Sequence, residues 1–207
     1  DFKTDGVEGK SVVAVADGYV SRVLYSNSGY GLALYINHPN GTTSVYGHLS
    51  RFRKDIADFV ATERHRQQRS RIDIECKPDQ FKVKRGEEIA KSGNTGSSGG
   101  PHLHYEIRNT SSQKTINPVN MGLKLKDDLA PTLYSVRIVP NDKTSTINGK
   151  NEEAFFNIKS GKPTLLQSTI NLEGDFYICF EAYDRSNGST EKNGVYDSKL
   201  FVDDKMT

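Results

Sequence analysis

The 207-residue chain has no tryptophan, two methionines and only two cysteines. Cys76 and Cys179 stand far apart, in stretches that read as different domains, and neither has the neighbours of a metal site. A disulfide between them is allowed but unforced, and two buried free thiols are the expectation. Long apolar runs are missing too. Nothing approaches the roughly 18 consecutive apolar residues that mark a bilayer-spanning helix, so no transmembrane segment is expected in this chain. No leader peptide is visible. The chain opens on Asp1-Phe2 without methionine and stops at Met206-Thr207 directly after a strand-like stretch, and is read as a piece of something longer. Charge of one sign is also scarce: 28 basic against 26 acidic residues leave a formal net charge of +2, which argues against nucleic acid as a partner. The run Arg64 to Arg71 (RHRQQRSR) reads as a solvated face. No histidine follows His104, so the C-terminal part is expected to hold neither a metal nor a general base.

What the sequence does have is concentrated in Gly93 to Arg108, GNTGSSGGPHLHYEIR. A Gly/Ser-rich loop leads through Pro101 into an alternating strand. Side chains two apart on a strand share a face. His102, His104 and Glu106 therefore look one way, and Leu103, Tyr105 and Ile107 look towards a core. Two neighbouring imidazoles suit a divalent metal, either both binding it or one binding while the other overhangs an open coordination position. Five glycines between Gly86 and Pro101 favour close approach of backbone to a ligand. Glu106 reads either as a hydrogen-bond partner that orients His104 or as half of a salt bridge with a nearby Arg or Lys.

The rest of the first half reads as short strands and turns. Ser11 to Val15, Tyr19 to Tyr25, Leu32 to Asn37 and Thr42 to His48 are strand-like. They are divided by Ala16-Asp17-Gly18, Ser28-Gly29-Tyr30-Gly31 and His38-Pro39-Asn40-Gly41. His38 is expected to serve the turn rather than a metal. Ile56, Phe59 and Val60 have helical spacing within Arg53 to Ser70, followed by a small strand at Ile72 to Cys76. Residues 53–80 therefore read as an insertion between β-segments, with a possible use as a lid. Val83 to Ala90 resumes the strands. Lys124 to Pro131 reads as a linker. Beyond it come strand candidates Leu133 to Val139, Ala154 to Ile158, Asp175 to Tyr183 and Val195 to Val202, separated by Asn148-Gly149, Ser160-Gly161, Asn187-Gly188 and Asn193-Gly194. That pattern predicts a small β-sandwich.

Four segments occur in a telling order: AVADGYV (Ala14 to Val20), YGHLS (Tyr46 to Ser50), VKRGEEIAKSGNTG (Val83 to Gly96) and PHLHYEIR (Pro101 to Arg108). Together they resemble the lysostaphin/LytM-type (β-lytic) zinc metallopeptidases, over roughly Asp1 to Pro118. The resemblance implies an all-β, mainly antiparallel catalytic domain with a short helical insertion, spanning 1–120, followed by a small Ig-like β-sandwich at 127–207. It implies one zinc ion held by Asp1, by His104 (the second histidine of H-x-H), and by a histidine four positions before Asp1, outside this chain. It further implies that His48 and His102 flank the metal as catalytic residues, one taking a proton and the other stabilising an oxyanion. The activity implied is endopeptidase cleavage of peptidoglycan stems or cross-links, in the cell envelope or outside the cell.

Two other readings stand beside this one. The first is a degenerate, zinc-free module of the same fold that binds or regulates a cell-wall hydrolase. The second starts from DGYV and VKRGEEIA, which also resemble the halves of a biotinyl or lipoyl carrier, but no lysine hairpin lies between them. The loop Ser92 to Gly100 is expected to line the substrate groove. Tyr46 is expected either to flank that groove or to pack.

Overall fold

The alternation that predicts strands in the first half produces them with little change. The computed structural model describes residues 1–158 and 169–206, which divide into two units, Asp1–Lys124 and Leu125–Thr207. In the first unit the strands are β1 (Phe2–Lys3), β2 (Ser11–Val13), β3 (Gly18–Tyr25), β4 (Leu32–Asn37) and β5 (Thr42–Phe52). Helix α1 (Lys54–Gln67) follows, and then β6 (Ile72–Glu75), β7 (Lys82–Val83), β8 (Glu88–Ser92), β9 (His102–Asn109) and β10 (Thr115–Ile116). The main sheet runs β1-β9-β5-β4-β3-β6, with β10 beside β9, β7 beside β3, and β8 joining β5 to β2. Every pairing in it is antiparallel.

Strand β4 is apolar on both faces because both are covered. Leu34 and Ile36 join Val20, Val23, Tyr46, Leu49, Phe52, Ile56 and Ile89 in the main core, against which Leu103 and Tyr105 of β9 also pack. Ala33 and Tyr35 join Leu24 and Val45 on the opposite face, with Tyr30 packed against them. Tyr46 is 1% exposed, and its hydroxyl accepts from the Val15 amide at 3.0 Å. Of its two expected roles it takes packing.

Helix α1 is part of this architecture. Ile56 and Val60 are buried in the main core, and Phe59 meets Phe81 edge-on. The helix ends where Gln68 turns left-handed, and Arg64 lies over the Tyr25 ring. β6 pairs with β3, at the far edge of the sheet from β9. Residues 53–80 thus contribute α1 to the core and β6 to the edge of the sheet.

In the second unit, β11 (Thr132–Pro140) is flanked by β13 (Ala154–Asn157) and β15 (Phe176–Tyr183) in an antiparallel three-stranded sheet. The pairs β12 (Thr146–Ile147) with β14 (Leu172–Glu173), and β16 (Phe201–Val202) with β17 (Lys205–Met206), complete the described strands. Asn148 and Gly149 both have positive φ, as an Asn-Gly hairpin turn requires. The predicted strand at Val195 to Val202 shrinks to Phe201–Val202. The Ser160-Gly161 turn lies outside the described residues. Both cysteines are free, but only Cys76 is buried; Cys179, expected inside, is exposed on β15.

Candidate active site

Strand β9 is the floor of the site. Its pairing with β5 sets Gly47 opposite His104 and Val45 opposite Glu106. These residues lie on the face that carries Tyr35, Val45 and Tyr30, while Leu103 and Tyr105 face the main core. Gly47 matters here because a Cβ would lie 3.3 Å from His104 Cβ and 3.5 Å from Tyr30 Cβ. A side chain there would press on His104. β1 lies along the other side of β9, with Phe2 opposite Leu103 and Lys3 opposite His102. That pairing delivers Asp1 to His104.

His48 reaches the site through an irregularity. Strict alternation would point it with Tyr46 into the core. The β4–β5 register shifts between Leu32 and Leu34, and His48 has φ +56°, a left-handed conformation uncommon for a residue other than glycine. The bulge turns the imidazole towards β9. Its ring centroid lies 4.8 Å from that of His102 and 5.7 Å from that of His104. The His48 amide donates to the Tyr30 carbonyl at 2.8 Å.

The hydrogen bonds assign the ring nitrogens. His48 Nδ1 lies 2.7 Å from the Thr95 carbonyl. A carbonyl only accepts, so Nδ1 carries the hydrogen and Nε2 keeps its lone pair. His102 is set the same way, its Nδ1 2.8 Å from the Gly100 carbonyl, and its Nε2 lies 3.8 Å from Asp1 Oδ2. His104 has a carboxylate at each ring nitrogen: Nε2 donates to Glu106 Oε1 at 2.7 Å, and Nδ1 lies 2.9 Å from Asp1 Oδ1, which can only accept. Burial, with the neighbouring His102 and His104 adding to it, holds His48 below the ordinary histidine pKa, against an upward pull from the Thr95 carbonyl. Burial pushes the Glu106 carboxyl up, but donors from Tyr30, His104 and Arg108 outweigh it and leave the pKa below the ordinary glutamate value.

Asp1, His48, His102 and His104, distant in sequence, thus converge on one patch. Glu106 does both things expected of it, accepting from His104 and pairing with Arg108 at 2.6 Å. His38 is spent on structure: Nδ1 meets the Asp17 carbonyl and Nε2 the Ser44 hydroxyl, each at 2.8 Å. Three contributors escaped the sequence reading. Tyr30, seen there only as a turn residue, stacks on His104 with centroids 4.9 Å apart and donates to Glu106 at 2.6 Å. Thr95 fastens the loop to two strands, accepting from the Leu32 amide and donating to the Leu49 carbonyl. Ser98 lies 3.2 Å from His102 Nδ1. An aromatic between two glycines was the available signal for the first.

Comparison with known proteins decides the family. The model of Peptidase family M23 matches residues 2–65 and 68–118. The chain belongs to peptidase family M23. The match breaks off at 65, within α1, and resumes at 68; Asp1 lies just outside the matched residues. Among curated relatives, an uncharacterized metalloprotease of Haemophilus influenzae is 35% identical over 116 residues, covering 56% of this chain and 19% of the relative. The DD-carboxypeptidase/endopeptidase Mpg of Neisseria meningitidis serogroup B is 34% identical over 116 residues, 56% of this chain and 21% of the relative. The murein hydrolase activator NlpD of Escherichia coli is 31% identical over 117 residues, 55% of this chain and 23% of the relative. The chain therefore spans about a fifth of the length of these curated relatives. Among solved structures, the catalytic domain of the M23 protein EnpA from Enterococcus faecalis, a point mutant, matches with 27% identity and a TM-score of 0.40. That alignment covers 54% of this chain and 69% of EnpA's.

Among the described residues, no three His, Cys, Asp or Glu side chains are grouped so as to hold a divalent metal alone. Asp1 and His104 do form a two-donor pair. The Glu106 carboxylate occupies Nε2 of His104, so the nitrogen presented to Asp1 is Nδ1, and a carboxylate beside an imidazole is a donor set that zinc accepts. The fit is chemically right and one protein ligand short of an open catalytic zinc site.

Proposed function

We propose that this M23 chain carries most of the active site of a zinc-dependent endopeptidase acting on peptide stems or cross-links of peptidoglycan, in the cell envelope or outside the cell. The observation that carries the reading is the division of labour among three histidines. His104 is held through Nε2 by Glu106 and turns Nδ1 to Asp1, whereas His48 and His102 are held through Nδ1 by carbonyls and keep Nε2 open. Asp1 and His104 would hold the ion, with a histidine four positions before Asp1 completing the set. Bound there, zinc supplies Lewis acidity and a water that ionises near neutral pH. One of His48 and His102 would take the proton of the attacking water at its open Nε2; the other would stabilise the developing oxyanion, as a donor, only with a proton on its own Nε2. Burial keeps His48 neutral and therefore able to accept a proton at neutral pH. We further propose that 1–120 is the peptidase domain and that 127–207 is a separate Ig-like β-sandwich.

A second reading has its own support: NlpD, a relative at 31% identity, is a murein hydrolase activator. Under it the same patch serves a zinc-free module that binds or regulates a hydrolase. The test is metal content and turnover of the protein with its upstream residues present. Stoichiometric zinc that is lost in His104→Ala, together with release of stem peptides from purified peptidoglycan, is the expected result. Absence of zinc, or a residue other than histidine four positions before Asp1, overturns the peptidase reading in favour of the regulatory one.

A further inference from the structure

Tyr30 touches the site in three separate ways. Its carbonyl accepts the His48 amide at 2.8 Å. Its ring stacks on His104, at an interplanar angle of 25°. Its hydroxyl donates to Glu106 Oε1 at 2.6 Å, the same oxygen that accepts from His104 Nε2. The turn bearing it is locked to the glycine loop. A Cβ on Gly31 would come within 2.3 Å of Thr95 Oγ1, and one on Gly96 within 2.3 Å of the Gly31 nitrogen. Both glycines also have positive φ, so no other residue fits this interlock without strain. The Gly29 carbonyl accepts the Ser97 amide at 2.8 Å, and its amide donates to Ser97 Oγ at 3.0 Å.

Arg108 gives the hydroxyl a specific task. Its Nε donates to Glu106 Oε2 at 2.7 Å, and its Nη2 is divided between Oε2 and the Tyr30 oxygen, 3.2 Å away. A guanidinium facing a carboxylate prefers the two-pronged arrangement that engages both oxygens. If it did so here, Oε1 would be drawn off His104. The Tyr30 hydroxyl prevents this by occupying Oε1 and by giving Nη2 an alternative acceptor.

We propose that Tyr30 is a positioning residue, whose hydroxyl keeps the Glu106 carboxylate on His104 Nε2 and thereby holds Nδ1 of His104 towards Asp1. The consequence for metal binding rests on the reading of His104 as a ligand; the hydrogen-bond arrangement itself does not.

The primary experiment is therefore done without metal. In the wild-type chain with ¹⁵N-labelled histidine, the His104 Nε2–H proton is expected as a deshielded resonance protected from solvent exchange. Tyr30→Phe keeps the stacked ring and removes only the hydroxyl. It is expected to speed exchange of that proton at least about tenfold without moving the thermal midpoint. Adding Arg108→Gln to Tyr30→Phe is expected to restore protection, because the competing guanidinium is gone. In the full-length protein, zinc affinity measured by chelator competition is expected to fall about 10–100-fold in Tyr30→Phe, as loss of a partner behind a metal ligand usually costs. Absence of a protected His104 Nε2–H in the wild type, or an unchanged exchange rate in Tyr30→Phe, overturns the proposal. A full-length protein that binds no zinc but shows the exchange pattern sinks the metal reading and leaves the positioning role of Tyr30 standing.

Discussion

The two units use the same local rule and reach different densities. Among the described residues, all the buried apolar side chains except Ile138 and Ile147 lie in the first unit. There β4 is covered on both faces, and Val20, Val23, Leu34, Ile36, Leu49, Ile56 and Ile89 are fully buried. The sheet of the second unit keeps Phe155, Tyr177, Ile178 and Phe180 between 46% and 59% exposed. Alternation makes a strand in either case, but burial needs a second layer, and in the first unit β2, β8 and α1 supply it. The difference teaches what holding a cluster of imidazoles requires. Fixing the rings of His48, His102 and His104 takes side chains and loops that cannot drift, and a dense core provides that.

The largest expected effect tests whether the dense unit alone carries function. His48→Ala should retain zinc in the protein with its upstream residues and lower turnover on cell-wall peptides about 10²–10⁴-fold, the usual share of a general acid or base. Substitutions on the exposed face of β15, such as Phe180→Ala, should leave turnover unchanged; a comparable loss there would break the contrast.

Thiol reactivity sharpens it next. Cys179 is exposed and Cys76 buried, and burial pushes the Cys76 thiol from its ordinary value up to about 11. Alkylation at neutral pH should modify Cys179 quickly and Cys76 only on unfolding, as peptide mapping would report. The sign for stability follows. The unfolded chain ionises Cys76 at the ordinary value near 9.0, so the first unit should lose stability as pH climbs from there towards about 11. A denaturant melt series across that window checks it, and Cys76→Ala should flatten the slope.

A core truncation gives an intermediate effect. Ile56→Ala should cost about 2–5 kcal/mol, while Phe155→Ala should cost under about 1 kcal/mol, because an exposed side chain leaves little cavity behind. Equal losses in chemical denaturation would mean that the second sheet is covered after all. The smallest expected change is in residues 1–124 expressed alone, which should melt within a few degrees of the first transition of the whole chain. Failure of that fragment to fold would mean the division after Lys124 is wrong.

Much of this was legible in the residues. Strand-like stretches between turn signals located β3 and β4, alternation located β9, each almost to the residue, and i, i+3, i+4 spacing located α1. The H-x-H pair on one strand face, and its distinction from the structural His38, followed from local pattern alone. The boundaries failed where pairing partners decide them. Val195 to Val202 has strand composition, yet only Phe201–Val202 finds a partner. Cys179 looked like a core residue because composition cannot reveal that its face lies open.

The sequence by itself determined which strand face presents His102, His104 and Glu106, because that follows from the two-residue period of a strand. It also carried the resemblance that proved to be the family. Only the tertiary structure decided that Asp1 meets His104 across the β1–β9 ladder, and that a bulge turns His48 out of the core. It also decided that Tyr30, from a turn more than seventy residues upstream of Glu106, secures the carboxylate behind His104. Those are contacts between segments far apart in the chain. They depend on register, bulges and glycine close approaches that a local pattern does not contain.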